Sequence, residues 1–516
     1  MSESHKPATA HQHLGRNILS NWTSYAVSLA VGFLISPLMV HKLGDTAYGI
    51  WALSLQLGAY LSVLDLGVRI ALTRYITHYH AKDEMDRVHE AFSVGVTSLG
   101  IIGIVSLLVT IVLVHFLPSI VHMPTGMQSV ARWTLLLIGV QVALSFPGAI
   151  FAGMLAALSR YDLLNATVIT ISVAKALVIW LLLTNGHGLL AVAIASLVTA
   201  CITFLLQFAI ASRLYGGFRY HLKREQIKST LKPLLNFGFF AFLLGISGRL
   251  VLWSDNIVVG VILGPAVVTF YAIAGNLIDY LQGILSSSLS VLVPLATSYD
   301  ARSEEDKLRF LFSRGSRFLL LLLLPAIIAV VVLGPDFISL WMGAKYVAIS
   351  GRVLILLAIP LVFAPMRGAA QQILYGSNRH KFSAFISLGE AFTNLALSII
   401  LAYRMGAVGV AWGTLIPGVL TAGIVIPTYT LRRLAMNWRS FYWNSFLLPV
   451  LAGLPYLGLL YMMRSMGSVS NLAKFFATVI GSLLLYYLFV WFFVLQKPEQ
   501  EIVRNQVRLT VRQATS

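Results

Sequence analysis

The sequence predicts an all-α membrane protein with about 14 transmembrane helices, laid out as two parallel six-helix repeats around a central cavity, with two further helices at the carboxyl end. Three observations carry this. Hydrophobic residues make up 58% of the 516 positions and charged residues 11%, with a mean hydropathy of +0.82, far from the balance of a water-soluble domain. Apolar runs of about twenty residues, enough for a helix to cross roughly 30 Å of hydrocarbon, fill most of the chain. Landmarks of the first half recur in the second at a nearly constant offset of about 220 residues.

In chain order, spans are expected at 17–41, 47–76, 88–117, 127–155, 163–184 and 188–213, then at 236–263, 266–297, 308–334, 350–376, 382–404 and 406–432, with 441–464 and 471–495 appended. The organisation that follows is a cytoplasmic tail (1–16), a first six-helix bundle (17–213), a basic cytoplasmic connector (214–235), a second bundle (236–434), two additional helices (435–495) and a cytoplasmic tail (496–516). Residues 1–16 are polar and include His5, His11 and His13, and the first apolar run is too long for a signal-peptide core, so the first helix is expected to be an uncleaved anchor. With the amino terminus inside, about 26 of the 37 Lys and Arg residues fall on the inner side and about 7 on the outer. The inner set includes Lys82, Arg87, the run Arg219–Lys232, Arg302–Arg317, Arg432, Arg433, Arg439 and Arg504–Arg512. Both termini are then cytoplasmic. The same bias explains the net charge of +18 without nucleic acid, because the basic residues are spread over short loops between apolar runs.

The repeat is visible residue by residue. Leu43-Gly44 aligns with Leu263-Gly264, Pro147 with Pro365, Arg160 with Arg379, and GLLAVAIAS from Gly188 with GAVGVAWGT from Gly406, all at offsets of about 218 to 220. Six spans per repeat keep both halves the same way up, an arrangement used by transporters whose substrate site lies between the halves. The connector, LYGGFRYHLKREQIKSTLKPLL, reads as an interfacial helix or a solvated linker. Pro37, Pro147, Pro325, Pro360, Pro365, Pro417 and Pro427 lie within apolar runs, where each removes a backbone hydrogen bond and can kink a helix. Cys201 stands alone in the chain and inside an apolar run, the position of a packing residue rather than of a disulfide.

Charges at membrane depth are costly and usually face a wet cavity or a partner. Lys175, Arg249 and Arg367 are the cations so placed, and the few acidic residues make an anionic ligand the natural counter-ion; snorkelling or pairing with a carboxylate is the competing reading. Asp255, Asp279 and Glu390 are candidates for ion coupling, since a carboxylate held away from water can take up and release a proton, or else pair with a nearby cation. Asp65 and Arg69, four apart on one helix, are expected to neutralise each other as a structural or gating pair. Gln371, Gln372, Asn276, Gln282 and Asn394 add hydrogen-bonding groups suited to a sugar, or to helix packing. No Walker A loop, HExxH, CxxC or dinucleotide fingerprint is present, and no metal or cofactor is expected. The outer loop 334–350 holds Asp336 as its one acid, which disfavours a membrane glycosyltransferase or polymerase.

The segments LISPLMVHKLGDTAYGIWAL, LDLGVRIALTRY, SDNIVVGVILGPAVVTFYAIA and VLVPLATSY, set in twin six-helix halves, resemble the Wzx-type lipid-linked oligosaccharide flippases of the MOP superfamily over nearly the whole chain. The resemblance implies a multi-pass protein of the bacterial inner membrane, not an enzyme. Such a protein moves an undecaprenyl-pyrophosphate-linked oligosaccharide to the outer leaflet by alternating access, for O-antigen, capsule or exopolysaccharide. It implies a cationic central cavity, matched in residue type by Lys175, Arg249 and Arg367, and as partners the lipid-linked substrate, membrane lipids, and polymerase and chain-length machinery, with a monomer favoured. A cation-exporting multidrug transporter and a lipid II flippase of the same superfamily are the alternatives.

Overall fold

The computed structural model describes residues 9–217, 220, 254–501 and 504, apart from 66, 290, 291, 378, 380, 468 and 498. Among these residues every element is helical. Thirteen helical stretches are long and apolar enough to cross a membrane, and Ser254–Leu263 is a shorter apolar helix, the described end of the run expected at 236–263. The expected number of spans is thus nearly reached among the described residues. The chain is a multi-pass membrane protein.

The described residues group into two compact units, the first running to 217 with residues 264–266, the second comprising 254–263 and the chain from 267 onward. In the first unit, α1 (Thr9–Leu43), α2 (Asp45–Leu61), α3 (Val68–His80), α4 (Met85–Ile120), α5 (Gln128–Ala157), α6 (Tyr161–Thr184) and α7 (Leu189–Leu214) follow one another. α5 is the hub, packing on α2, α3, α4 and α7, while α1 lies along α6. Val68, Leu72 and Ile76 of α3, Phe92 and Leu99 of α4, and Phe146, Ile150 and Met154 of α5 recur at spacings of four or seven residues and meet in one buried cluster. Small residues let α4 and α5 approach backbone to backbone: a methyl group added at Gly103 would stand 2.7 Å from the Ala143 carbonyl oxygen, and one at Gly139 would collide with the Thr110 side chain.

The second unit holds α8 (Ser254–Leu263), most of α9 (Pro265–Leu289), α10 (Leu292–Ala301), α11 (Glu305–Trp341), α12 (Arg352–Ala358), α13 (Ala364–Gly376), α14 (Lys381–Met405), α15 (Ala407–Leu420), α16 (Ile426–Arg433), α17 (Trp438–Tyr442), α18 (Leu448–Ser465) and α19 (Leu472–Phe489). α18 and α19 pack on α11, and α14 pairs closely with α15. Several expected spans are longer or broken. α11 continues past the expected end at 334, so Asp336 lies on a helix rather than in an outer loop. The run expected at 350–376 is cut at Ile359–Val362 because Pro360 and Pro365 withhold backbone donors. The run at 47–76 is interrupted after Leu61, where a short tight turn, Ser62–Asp65, and Gly67 at φ 77° redirect the chain into α3.

The repeat shows in the backbone as well as in sequence. Gly44 and Gly264 both take positive φ, 79° and 89°, between consecutive helices, a conformation that only glycine adopts cheaply. Asp83 and Ser303, again 220 apart, are the equivalent left-handed residues at φ 56° and 54°. Each is followed by a Glu, Glu84 or Glu304, and a long helix of 36 or 37 residues. Gly139→Ala should lower the unfolding midpoint of the purified protein, reflecting overpacking of roughly 1–3 kcal/mol. Gly126→Ala, which meets no neighbouring atom, should leave it unchanged.

Candidate functional site

Within the first unit, α3, α5, α6 and α7 enclose a cavity of about 390 Å³ lined by Arg69, Lys175, Gln141, Ser145, Ser196, Thr199, Thr203 and Gln207 among its polar residues. Among the described residues no acidic side chain lines it. Lys175 makes no hydrogen bond or ion pair with any described residue, in contrast to the cations of the second unit described below. Several hydroxyls are already engaged as donors: Ser145 Oγ to the Val142 carbonyl at 2.7 Å, Thr199 Oγ1 to Ala195 at 2.9 Å and Thr203 Oγ1 to Thr199 at 2.8 Å. The donors free to meet a guest are therefore the Lys175 ammonium, the Arg69 guanidinium, the two glutamine amides and the Ser196 hydroxyl, which has no partner among the described residues.

Arg69 reaches this cavity by way of a specific turn. Asp65 Oδ1 accepts the Arg69 backbone N–H at 3.0 Å, capping the start of α3, and Asp65 Oδ2 lies 3.3 Å from Arg69 Nε. The expected Asp65–Arg69 pair is present, with Asp65 held in the turn and Arg69 lining the cavity.

In the second unit, Asp255 on α8 is buried. Its Oδ2 accepts hydrogen bonds from Tyr271 Oη and Thr414 Oγ1, each at 2.6 Å. Asn394 Nδ2 donates to Thr414 Oγ1 at 2.8 Å, and Ser254 Oγ donates to Asn394 Oδ1 at 3.3 Å. Asp255 Oδ1 is buried without a partner among the described residues, so one carboxylate oxygen remains open in an otherwise built network. Asp279 is exposed on α9 and meets no partner among the described residues.

Arg367 and Glu390, assigned separate roles by the sequence, are brought together: Arg367 Nη1 donates to Glu390 Oε1 at 2.7 Å, with the carboxylate buried. Ser387 Oγ accepts from Arg367 Nη2 at 3.5 Å and from Gln371 Nε2 at 3.4 Å. Arg249 and residues 221–235 of the connector lie outside the described residues. Gln141, Ser145, Ser196, Thr199, Thr203 and Gln207 are not among the polar residues the sequence singles out. Their signal was present as a polar stripe at spacings of three and four on α7, matched by Gln141 and Ser145 one turn apart on α5.

Residues 14–300, more than half of the chain, match the family model described as polysaccharide biosynthesis protein. The chain belongs to that family. Similar to this polysaccharide biosynthesis protein are the membrane protein EpsK of Bacillus subtilis (strain 168), 22% identical over 96% of this chain and 98% of its own, and a Shigella flexneri protein assigned as an O-antigen transporter, 22% identical over 80% and 97%. Among solved structures, the lipid II flippase MurJ in an inward closed conformation superposes with a TM-score of 0.70, 15% identity and coverage of 92% and 98%. An inward-facing multidrug-resistance MATE transporter of the MOP superfamily gives 0.63, 16%, 80% and 94%. At these identities the likeness establishes the fold, which the chain shares with MurJ and the MATE transporter. The expected membership of a polysaccharide biosynthesis family is met.

Because Glu390 is buried against Arg367, Arg367→Ala should strand a carboxylate and destabilise the second unit by about 3–5 kcal/mol. Chemical unfolding should report the loss, and the double substitution Arg367→Ala with Glu390→Ala should recover most of it.

Proposed function

We propose that the protein is a flippase that carries an undecaprenyl-pyrophosphate-linked oligosaccharide from the cytoplasmic to the outer leaflet of the bacterial inner membrane, by alternating access and driven by an ion gradient, for cell-surface polysaccharide. The observation that carries this reading is the first-unit cavity, where two cations and two glutamines converge with no carboxylate among the described lining residues. A pyrophosphate diester bears two negative charges that hydrocarbon rejects, and ammonium and guanidinium groups give its oxygens charge-assisted hydrogen bonds. The volume, about 390 Å³, falls in the range of small-molecule sites. The hydroxyl oxygens of Ser145, Thr199 and Thr203, whose protons are turned to the helix backbone, keep lone pairs that can accept from sugar hydroxyls. The polyprenyl chain has no need of the cavity, since lipid solvates it. The O-antigen assignment of the Shigella relative supports the same class of cargo.

Exporters of organic cations need the opposite polarity in such a cavity, so the MATE-like fold does not argue for drug export here. A lipid II flippase shares the pyrophosphate chemistry and is the second reading, favoured by the superposition on MurJ. The Asp255 network is the ion-coupling element of this proposal: a buried carboxylate with one unpartnered oxygen offers a place for a proton or a small cation, and the hydroxyls of Tyr271 and Thr414 hold it in position. Asp279 is the further acidic candidate, and its substitution is the natural comparison.

In proteoliposomes loaded with a pyrophosphate-linked polyprenyl oligosaccharide, Lys175→Ala should lower the translocation rate about tenfold or more, with Arg69→Gln lowering it less because Asp65 already screens that charge. Unchanged rates in both variants, with intact folding, would remove the cavity from the mechanism, and gradient-driven efflux of organic cations by the wild type would replace the flippase reading with an exporter. Asp255→Asn should leave residual equilibration of the substrate while abolishing its stimulation by a sodium or proton gradient; persistence of that stimulation would shift the coupling role away from Asp255.

A further inference from the structure

The second unit carries another built polar cavity that the transport reading does not use. It measures about 300 Å³ and is lined by Ser313, Arg314, Arg317, Asn444 and Gln496. Its depth in the membrane follows from α11. Between Arg317 and Asp336 the helix has no charged residue, and that stretch rises roughly 27 Å at about 1.5 Å per residue, close to the hydrocarbon thickness of about 30 Å. Asp336 is neutralised by Arg464 at 2.7 Å at one end. Arg314 and Arg317 mark the other end, at the basic boundary that the positive-inside rule assigns to the cytoplasm.

Here two arginines share one carboxylate. Glu499, 3% exposed, pairs with Arg314 and lies 3.6 Å from Arg317 Nη1, and its second oxygen accepts the Gln496 backbone N–H at 2.9 Å. Arg317 Nη2 donates to the Val494 carbonyl at 2.9 Å. Arg317 is itself 4% exposed, yet its Nε is buried with no hydrogen-bond partner among the described residues. Arg317, which lines this cavity of surplus positive charge, thus carries a guanidinium donor that lacks an acceptor among the described residues. The adjoining surface is apolar and aromatic: Phe310, Phe492 and Phe493 are exposed, and the Arg314 guanidinium lies 6.0 Å from the Phe310 ring centroid.

We propose that this cavity binds a phosphate-bearing anion, in the form of an anionic phospholipid headgroup whose acyl chains lie along the aromatic surface. Arg317 Nε and the outward face of Arg314 supply charged donors, Asn444 and Ser313 add polar groups at the rim, and Glu499 competes with the anion for both arginines. Basic pockets between transmembrane helices on the cytoplasmic side are suited to such headgroups. The site is independent of substrate translocation.

The test uses the full chain in phosphatidylcholine nanodiscs, with phosphatidylglycerol titrated in and retention read by native mass spectrometry, and inorganic phosphate titrated calorimetrically in a parallel arm. Glu499→Gln should tighten phosphatidylglycerol binding several-fold and Arg314→Gln should weaken it about tenfold. If Arg314→Gln is not monodisperse, Arg314→Lys keeps the charge without the two-pronged donor and should weaken binding several-fold. The same ordering for inorganic phosphate but not for the lipid would make free phosphate the ligand of the same site. Binding of both probes that is indifferent to all three substitutions would overturn the site.

Discussion

Hydrocarbon offers a charged side chain neither water nor counter-ion, and this penalty shapes the surroundings of the described ionisable groups at membrane depth. Three answers to it can be seen. Arg367 and Glu390 neutralise one another across α13 and α14; Asp336 and Arg464 do so between α11 and α18. Asp255 is held, among the described residues, by the hydroxyls of Tyr271 and Thr414. Lys175 has neither device among the described residues, and lies instead on a cavity wall with Arg69. The first kind of answer is a matter of stability, since each partner needs the other. The second and third leave capacity unused, and unused capacity at membrane depth is what a transport cycle requires.

The turn after α2 shows how local chemistry serves the cavity. Asp65 closes the tight turn and receives the N–H of Arg69 in the first turn of α3, and Gly67 supplies the left-handed residue that redirects the chain. Without that break the run from Asp45 would continue as one helix, and Arg69 would not be delivered to α5, α6 and α7. The ion pair with Asp65 has a second effect: it partly screens Arg69 and leaves Lys175 as the stronger attractor for an anion.

Much of the architecture was legible in the sequence because hydrocarbon length and repeat spacing are physical rulers. Span number, helix content and the match of Gly44 with Gly264 follow from them. What escaped was set by side-chain partners. Nothing in the sequence distance between Arg367 and Glu390 announces that they meet, because they lie on different helices, and a charge read alone looks functional until its partner is placed. The polar stripe Ser196, Thr199, Thr203 and Gln207 escaped for the opposite reason: each residue is common in membrane helices, and only their shared face makes them a lining. The break at Pro360 and Pro365 was visible as a kink but not as the end of a span, since proline alone does not decide between bending and terminating a helix.

The duplication also explains why the two halves can carry different chemistry. At the offset of about 219 that relates them, Lys175 on α6 corresponds to Asn394 on α14, and Ser196 on α7 corresponds to Thr414 or its neighbour on α15. In the first half this pair of positions faces a cavity, with the Ser196 hydroxyl unpartnered among the described residues. In the second, Asn394 donates to Thr414 and Thr414 donates to Asp255. One scaffold has thus placed polar side chains at the same helical register twice, once with a cation that calls for an anionic guest and once with amide and hydroxyl groups that steady a carboxylate. The proposed flippase must grip an anionic cargo and respond to a cation, and a cavity holding Lys175 beside an unpaired carboxylate would satisfy each with the other. Under that proposal, keeping them on separate copies of the repeat leaves each free for its own ligand.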